Sequence, residues 1–325
     1  MKVVIPAAGI GSRLRPHTYT APKALLHVAG KPILGHILDR LITLPHLEEV
    51  LIVTGFLGEQ IQDYVEAHYA LRVRFVHQES LRGLGYAVHL ACQYVGDEPV
   101  LVVLGDTILE TDFSCFLQTG KDVLGVQEVE DPRRFGIVEV ADGRITRLIE
   151  KPEQPTSKLA VVGIYGFWNT GLLKSCLAEV VAHGLTTHGE IQVTDALQLM
   201  VERGSTMVPH SVPGWFDCGK LETLLETNRH LLRGYDKPYE RGDALVIAPS
   251  YIAPTARISH SVIGPYVSVG DRAQVSESVL RDSIIGEGAE VRQCLLEKSM
   301  IGNAAMVTGG FEHLNVGDFS EIGYP

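Results

Sequence analysis

Apolar residues follow two different patterns along this chain, and the change between them divides it. Through residues 1 to about 235, short apolar runs alternate with longer amphipathic stretches, as in βα units around a mostly parallel sheet. The runs predict strands at Val3–Pro6, Val50–Thr54, Arg72–Val76, Val100–Leu104, Val123–Gln127, Gly136–Val140 and Ala160–Phe167. Helical periodicity predicts helices at Ile33–Thr43, Leu57–Ala67, Leu84–Tyr94, Leu172–Ala182, Ile191–Val201 and Lys220–Arg233. Gly136–Val140 and Arg144–Ile149 flank Asp142-Gly143, which predicts a hairpin and therefore a mixed, Rossmann-like α/β sheet.

Gly234–Asp243 mixes glycine, proline and charge without periodicity and reads as a linker. Beyond it apolar residues recur six apart: Ile252 and Ile258; Ile263, Val269 and Val275; Ile285 and Val291; Ile301 and Val307. Glycine follows the apolar position at Gly264, Gly270, Gly286 and Gly302. A period of six is neither helical nor simple alternation. It suits a left-handed parallel β-helix, each flat face giving one inward aliphatic side chain and a corner. Nine positions joined by five such intervals are hard to obtain from ordinary strands and turns. At roughly 18 residues per three-faced turn, the segment makes about four coils. The chain thus divides into an α/β domain over residues 1–235 and a linker plus short β-helix over 236–325.

A length of 325 residues fits two domains better than one core. Five scattered cysteines without CxxC spacing argue against a disulfide framework and a zinc site. The 13 histidines form no ligand motif, and a net charge of −11 argues against nucleic-acid binding. The apolar run Val100–Leu104 is too short to span a bilayer, and Met1-Lys2 leads straight into a strand without a signal-type leader. The expected protein is soluble and cytoplasmic, with no membrane partner.

Candidate chemistry begins right after the first strand, in Pro6-Ala7-Ala8-Gly9-Ile10-Gly11-Ser12-Arg13-Leu14-Arg15-Pro16. Small residues let backbone N–H groups approach a polyphosphate, and Arg13 adds positive charge. No Gly-Lys-Ser/Thr closes the loop as in a Walker A motif, and Pro16 and Pro22 keep it irregular. Asp106, in Leu104-Gly105-Asp106, follows a strongly apolar strand at the sheet edge where α/β ligands bind; a solvated aspartate opening a turn fits the same residue. Asp217, in Trp215-Phe216-Asp217-Cys218-Gly219, fits a helix N-cap as well as a ligand.

The run GIGSRLRPHT…APKALLHVAGKPIL resembles the signature of the sugar-phosphate nucleotidyltransferases, with Ser12 standing for the usual threonine and His27 for a more frequent proline. The resemblance continues in order to about residue 230, and a hexapeptide solenoid is a common appendage in that family. It implies that Ala8, Gly9, Gly11, Ser12 and Arg13 bind a nucleoside triphosphate and that Asp106 and Asp217 together hold a catalytic Mg²⁺. Glu150 would meet a sugar hydroxyl and Lys151 the sugar phosphate, with Gly136, Gly163 and Thr194 as further sugar-site positions. A glycine within a strand also marks a bulge. Gln78, five residues before Gly83 in Gly83-Leu84-Gly85-Tyr86-Ala87-Val88, resembles the base-recognising segment of uridylyl- and thymidylyltransferases.

The implied reaction joins a nucleoside triphosphate, dTTP or UTP, to a sugar 1-phosphate, glucose 1-phosphate by default, and releases pyrophosphate. Its nucleophile is a phosphate oxygen already anionic at neutral pH, so neither a general base nor an enzyme nucleophile is called for. Arg13, Lys23 and Lys151 are the expected phosphate contacts. The alternatives are a hexapeptide acyltransferase, against which His260 and His313 stand in no motif, and a regulatory subunit that only binds nucleotide sugar. The solenoid leads us to expect a homo-oligomer.

Overall fold

The computed structural model describes residues 1–118, 120–235 and 243–310. It separates into two units, one of residues 1–27 and 31–227 and the other of residues 28–30 and 228–325.

The first unit is built on a nine-stranded mixed sheet. In chain order its elements are β1 (Lys2–Pro6), α1 (Ile33–Leu41), β2 (Glu49–Thr54), α2 (Gly58–His68), β3 (Val73–His77), α3 (Leu84–Cys92) and β4 (Val100–Val103). Then come β5 (Thr107–Glu110), β6 (Asp122–Glu128), β7 (Gly136–Ala141), β8 (Arg144–Glu150), β9 (Leu159–Phe167), α4 (Thr170–Ala182) and α5 (Val193–Glu202). β10 (Met207–Ser211), β11 (Gly214–Asp217) and α6 (Leu221–Leu232) follow, α6 running across the division between the units.

The sheet runs β8-β7-β9-β4-β1-β2-β3, with β6 on β9 and β10 on β6. β1, β2, β3 and β4 are parallel, whereas β9 runs antiparallel to β4, β6 and β7. The central strands are continuous aliphatic runs because both faces are covered; Val3–Ile5, Val50–Val53 and Val100–Val103 have no exposed surface. The expected hairpin is present as β7 and β8.

Two predicted helix starts move. Leu57 has a left-handed φ of 57° and precedes α2 instead of opening it. Ile191 is not helical: its N–H donates to the Arg82 carbonyl and its carbonyl accepts from Gly85 N–H, tying the approach to α5 against the start of α3.

Two pairings have no counterpart among the predicted strands. β5 and β11 form a separate two-stranded antiparallel ribbon that sets Thr107 opposite Asp217. β10 carries Pro209 and pairs only with β6, an edge position where a missing N–H is tolerated.

In the second unit, three parallel sheets of four short strands each stack the hexapeptide segment into a β-helix. Ile252, Val269, Ile285 and Ile301 stand in register on one face, at offsets of 17, 16 and 16 residues instead of 18. The reason lies in the corners. The six-residue spacing holds from this face to the next (Ile252 to Ile258, Val269 to Val275, Ile285 to Val291, Ile301 to Val307). Five-residue corners follow, turned by His260, Glu277 and Gln293 at positive φ, and a second five-residue step, turned by Asp282 and Lys298, shortens the two later coils to 16. Leu280 and Leu296 fall out of a strict period for that reason, yet they stack under Ile263. Of the predicted linker Gly234–Asp243, residues 236–242 lie outside the described residues. No described helix is long and apolar enough to cross a membrane.

Candidate active site

Two cavities of about 480 and 490 Å³ lie in the first unit, where the chain leaves the carboxyl ends of β1 and β4. They share Arg13, Leu84, Leu104 and Asp106 in their walls. The loop after β1 gives the first cavity Ala8, Gly9, Gly11, Ser12 and Arg13, joined there by Lys23, Gln78, Gly83 and Asp106. Gly136, Glu150, Lys151, Gly163, Thr194 and Asp217 line the second. The residues singled out from the sequence therefore all reach one or both cavities.

The loop after β1 is held open by backbone geometry. Gly11 has φ 68°, and a Cβ there would lie 3.0 Å from Thr18 Cγ2, whose hydroxyl donates to the Gly11 carbonyl at 2.9 Å. Lys23, only 8% exposed, reaches Asp106 from a short helical turn, Nζ to Oδ2 at 2.5 Å. Asp106 keeps 38% of its side-chain surface open, so it faces the cavities and is not sealed in the core. Burial raises the Asp106 carboxyl, but the Lys23 ammonium, together with hydrogen bonds from Thr107 and the backbone, outweighs that and holds it below the usual carboxylate range.

Asp217 arrives from the other side on β11. Its neighbour Cys218 donates N–H to the Asp106 carbonyl at 3.2 Å, so the two aspartates sit at adjoining strand ends. A Cβ on Gly219 would lie 2.8 and 3.2 Å from the Asp217 carboxylate oxygens and 3.1 Å from Arg13 Nη2. The carboxylate and the guanidinium thus close in on the backbone at Gly219, and a side chain there would have to push one of them aside. Burial pushes the Cys218 thiol up to about 12, so it stays neutral beside these charges.

Among the described residues no three or more His, Cys, Asp or Glu side chains form a group fit to hold a metal. Two carboxylates alone are the donor set that a hard divalent cation completes with phosphate oxygens and water, so Asp106 and Asp217 fit such an ion bound together with substrate.

In the second cavity, β7 and β8 set Gly136 opposite Glu150. A Cβ on Gly136 would lie 2.9 Å from Thr194 Cγ2 and 3.0 Å from Glu150 Oε2. Thr194 donates to Glu150 Oε2 at 2.9 Å, and Lys151 Nζ lies 3.2 Å from Oε1, which leaves the carboxylate fixed and facing inward. Gly163 lies where the register of β9 slips against β6, at φ 85°, and a Cβ there would run into Leu104 at 2.7 Å. It marks a bulge and also lines the site.

Gln78 is buried at 4% exposure and donates Nε2 to the Ser80 carbonyl at 3.1 Å. Gly83, which caps α3, has φ 107°, and a Cβ there would lie 2.5 Å from the Ile191 carbonyl.

Several lining residues are not foreseen from the motifs. Glu190 borders the first cavity; Arg133, Arg134, Phe135, Tyr165 and Trp215 border the second. Phe135 and Trp215 meet edge to face at 4.8 Å. Burial raises Tyr165, as do the Glu150 and Asp106 carboxylates, and keeps it a phenol. Position was the available clue: Arg133-Arg134-Phe135 immediately precedes Gly136, and Trp215 stands two before Asp217. Lys31, by contrast, is turned to an ion pair with Asp39 on α1 and lines neither cavity.

Residues 2–234 match the nucleotidyl transferase family and residues 236–315 the GlmU-like C-terminal hexapeptide family. The chain belongs to the nucleotidyl transferase family. It is 32% identical over 319 residues to the low-salt glycan biosynthesis nucleotidyltransferase Agl11 of Haloferax volcanii, covering 88% of this chain and 87% of that protein. With the glucose-1-phosphate thymidylyltransferase of Streptomyces antibioticus it shares 30% identity over 314 residues, again 88% and 87% of the two chains. A crystal structure of UDP-glucose pyrophosphorylase complexed with UDP-glucose superposes with a TM-score of 0.62 at 26% identity, over 72% of this chain and 98% of that one.

This nucleotidyltransferase is an enzyme, and its family generally uses a divalent metal. The rival acyltransferase reading finds little in the solenoid: His260 is exposed and paired with Asp243, Nε2 to Oδ2 at 2.7 Å, and His313 lies outside the described residues.

Proposed function

We propose that this nucleotidyltransferase transfers the nucleotidyl group of dTTP or UTP to a sugar 1-phosphate, glucose 1-phosphate being the first candidate, and releases pyrophosphate. The observation that carries this reading is the pair of cavities with Arg13 and Asp106 in their common wall. One is lined by a glycine-led basic loop and a buried amide, which suits a triphosphate and a base. The other is lined by a fixed carboxylate, a hydroxyl and a lysine, which suits a sugar phosphate. Substrates held in both would meet at the shared residues. Similarity to a glucose-1-phosphate thymidylyltransferase and to a UDP-glucose pyrophosphorylase supports the two pyrimidine nucleotides and the sugar.

The chemistry asks mainly for alignment of two anions that repel one another and for compensation of their charge. Arg13 faces the triphosphate and the departing pyrophosphate. Lys23 neutralises Asp106 in the structure and is well placed to turn to a phosphate when one arrives. Lys151 holds the sugar phosphate, and Glu150, fixed by Thr194, accepts from a sugar hydroxyl. Gln78 presents a donor and an acceptor to one edge of a pyrimidine. Asp106 and Asp217 would hold Mg²⁺, which when bound neutralises and orders the phosphate oxygens between the substrates.

We further propose that the chain self-associates through its solenoid. Leu245, Val262, Val279 and Leu295 stand in one register column, and three of them are 60%, 43% and 80% exposed. Arg281 and Glu297 flank the column as an ion pair, so a twofold contact can match charge with charge.

The deciding experiment measures pyrophosphate release for five nucleoside triphosphates against a panel of sugar 1-phosphates. Turnover with dTTP or UTP and glucose 1-phosphate is the expected result; no release with any pair overturns the reading.

A further inference from the structure

The second cavity holds more positive charge than Lys151 and Arg13 supply, and two of its four cations, Arg13 and Arg134, make no ion pair with a described residue. Lys151 pairs with Glu150. Arg133 pairs with Asp131, Nε to Oδ1 at 2.7 Å and Nη2 to Oδ2 at 2.9 Å. Arg134 lines the same cavity; it makes no ion pair with a described residue and meets Asp131, which Arg133 holds, only through its longer-range field.

Arg134 nonetheless has an aromatic neighbour. The guanidinium carbon lies 5.6 Å from the centre of the Phe135 ring, and that ring is braced by Trp215. The Phe135 carbonyl accepts the Lys151 N–H at 3.0 Å, one step beyond the Gly136–Glu150 pair, so Arg134 is carried on the backbone edge that carries Lys151. Arg133 is turned back to its own turn, where Asp131 also accepts its backbone N–H at 3.3 Å.

We propose that Arg134 is a second cation on the acceptor, a substrate-binding residue that contacts the phosphate of the sugar 1-phosphate alongside Lys151. This rests on the nucleotidyl-transfer reading above. A phosphate monoester carries close to two negative charges at neutral pH, and Lys151, already shared with Glu150, offsets only part of that charge even when a divalent cation meets one of the phosphate oxygens. A planar guanidinium presents two parallel donors to such a group and stays charged at every working pH.

The test is steady-state kinetics of the full chain carrying Arg134→Gln, Arg134→Lys or Arg133→Gln, with each substrate varied in turn. Arg134→Gln is expected to raise KM for the sugar 1-phosphate at least tenfold, while kcat and KM for the triphosphate stay within threefold. Arg134→Lys should recover part of the loss, and Arg133→Gln should shift KM for the sugar phosphate less than threefold. An unchanged KM in Arg134→Gln overturns the proposal. So does an equal rise for both substrates, or an effect of Arg133→Gln as large as that of Arg134→Gln, because either would indicate a general field and not a contact. Pyrophosphate release by the parent enzyme is the separate control: if it is absent, the underlying reaction has failed and not the role of Arg134.

Discussion

At the scale of single residues, the cleft is governed by which charges are compensated before substrate arrives. Asp106 has Lys23; Asp217 has the Arg13 guanidinium nearby; neither aspartate caps a helix. If the two hold a divalent cation as proposed, removing either carboxylate takes away half of the protein's oxygen donors, and two are few to begin with. Asp106→Ala and Asp217→Ala are each expected to abolish pyrophosphate release while far-ultraviolet circular dichroism stays unchanged, and EDTA should silence the parent enzyme until Mg²⁺ is restored. Near-normal rates in both variants would refute the metal assignment. Gln78 is a different case, since its amide is buried and only its bond to the Ser80 carbonyl would compete with the base edge proposed for it. Gln78→Ala should weaken the preferred pyrimidine triphosphate by about 1–3 kcal/mol, and a purine triphosphate preferred tenfold by the parent would contradict the role given to Gln78. The loop, the two aspartates and the Glu150-Lys151 pair were legible in the sequence because each stands in a tight motif at a strand end. Arg134 and Trp215 were not, because nothing local tells an arginine or tryptophan beside a motif whether it faces a cavity or solvent.

At the scale of elements, period was a sound guide wherever hydrogen bonding is local or both sheet faces are covered. It supplied the helices and the central strands to within a few residues. It had no hold on β5 and β11, four residues each, whose pairing joins positions about a hundred apart and leaves no periodic trace along the chain. β10 was hidden by Pro209, which lowers strand propensity and is acceptable only because the strand lies at an edge. The solenoid was recognised from its six-residue spacing, but its coil length was not, since five-residue corners turned by His260, Glu277 and Gln293 interrupt the count. The junction between α3 and the approach to α5 makes an element-level prediction. Gly83 sits at φ 107° and ψ 174°, a conformation other residues hardly adopt, and its α-carbon faces the Ile191 carbonyl. Gly83→Ala should cost about 1–3 kcal/mol of stability and loosen the Arg82–Ile191 and Gly85–Ile191 hydrogen bonds. Hydrogen exchange at Gly85 and Ile191, read beside the melting temperature, checks it: unchanged protection at both amides would mean that the close approach matters little.

At the scale of the whole chain, the question is what the β-helix contributes if every residue lining the two cavities belongs to the first unit. The second unit holds more than repeats: residues 28–30 and the end of α6 belong to it. Asn228 is fully buried there, its Oδ1 accepting from Ala29 N–H at 2.8 Å and from the Ser268 hydroxyl at 2.6 Å while Nδ2 donates to the Tyr266 carbonyl at 3.3 Å. The α-carbon of Gly30 lies under the Tyr251 ring, which leaves no room for a side chain. Deleting everything after Tyr235 would therefore remove two of the three partners of Asn228, Ser268 and Tyr266, and strip the cover from Gly30. A buried group left without its hydrogen bonds costs about 1–3 kcal/mol, so the truncated chain should melt several degrees lower. Lys23 lies only five residues before Val28, and loss of order at residues 28–30 is expected to slow turnover without abolishing it, because the cavity walls remain. The same deletion removes the apolar column of Leu245, Val262, Val279 and Leu295, so the particle mass should fall to that of one chain. Light scattering behind size exclusion, thermal melting and pyrophosphate release, measured on the two forms side by side, separate these effects. An unchanged assembly together with an unchanged melting temperature would show that neither stability nor association depends on the solenoid, whereas complete loss of turnover in a folded truncated protein would mean that the solenoid takes part in the reaction itself.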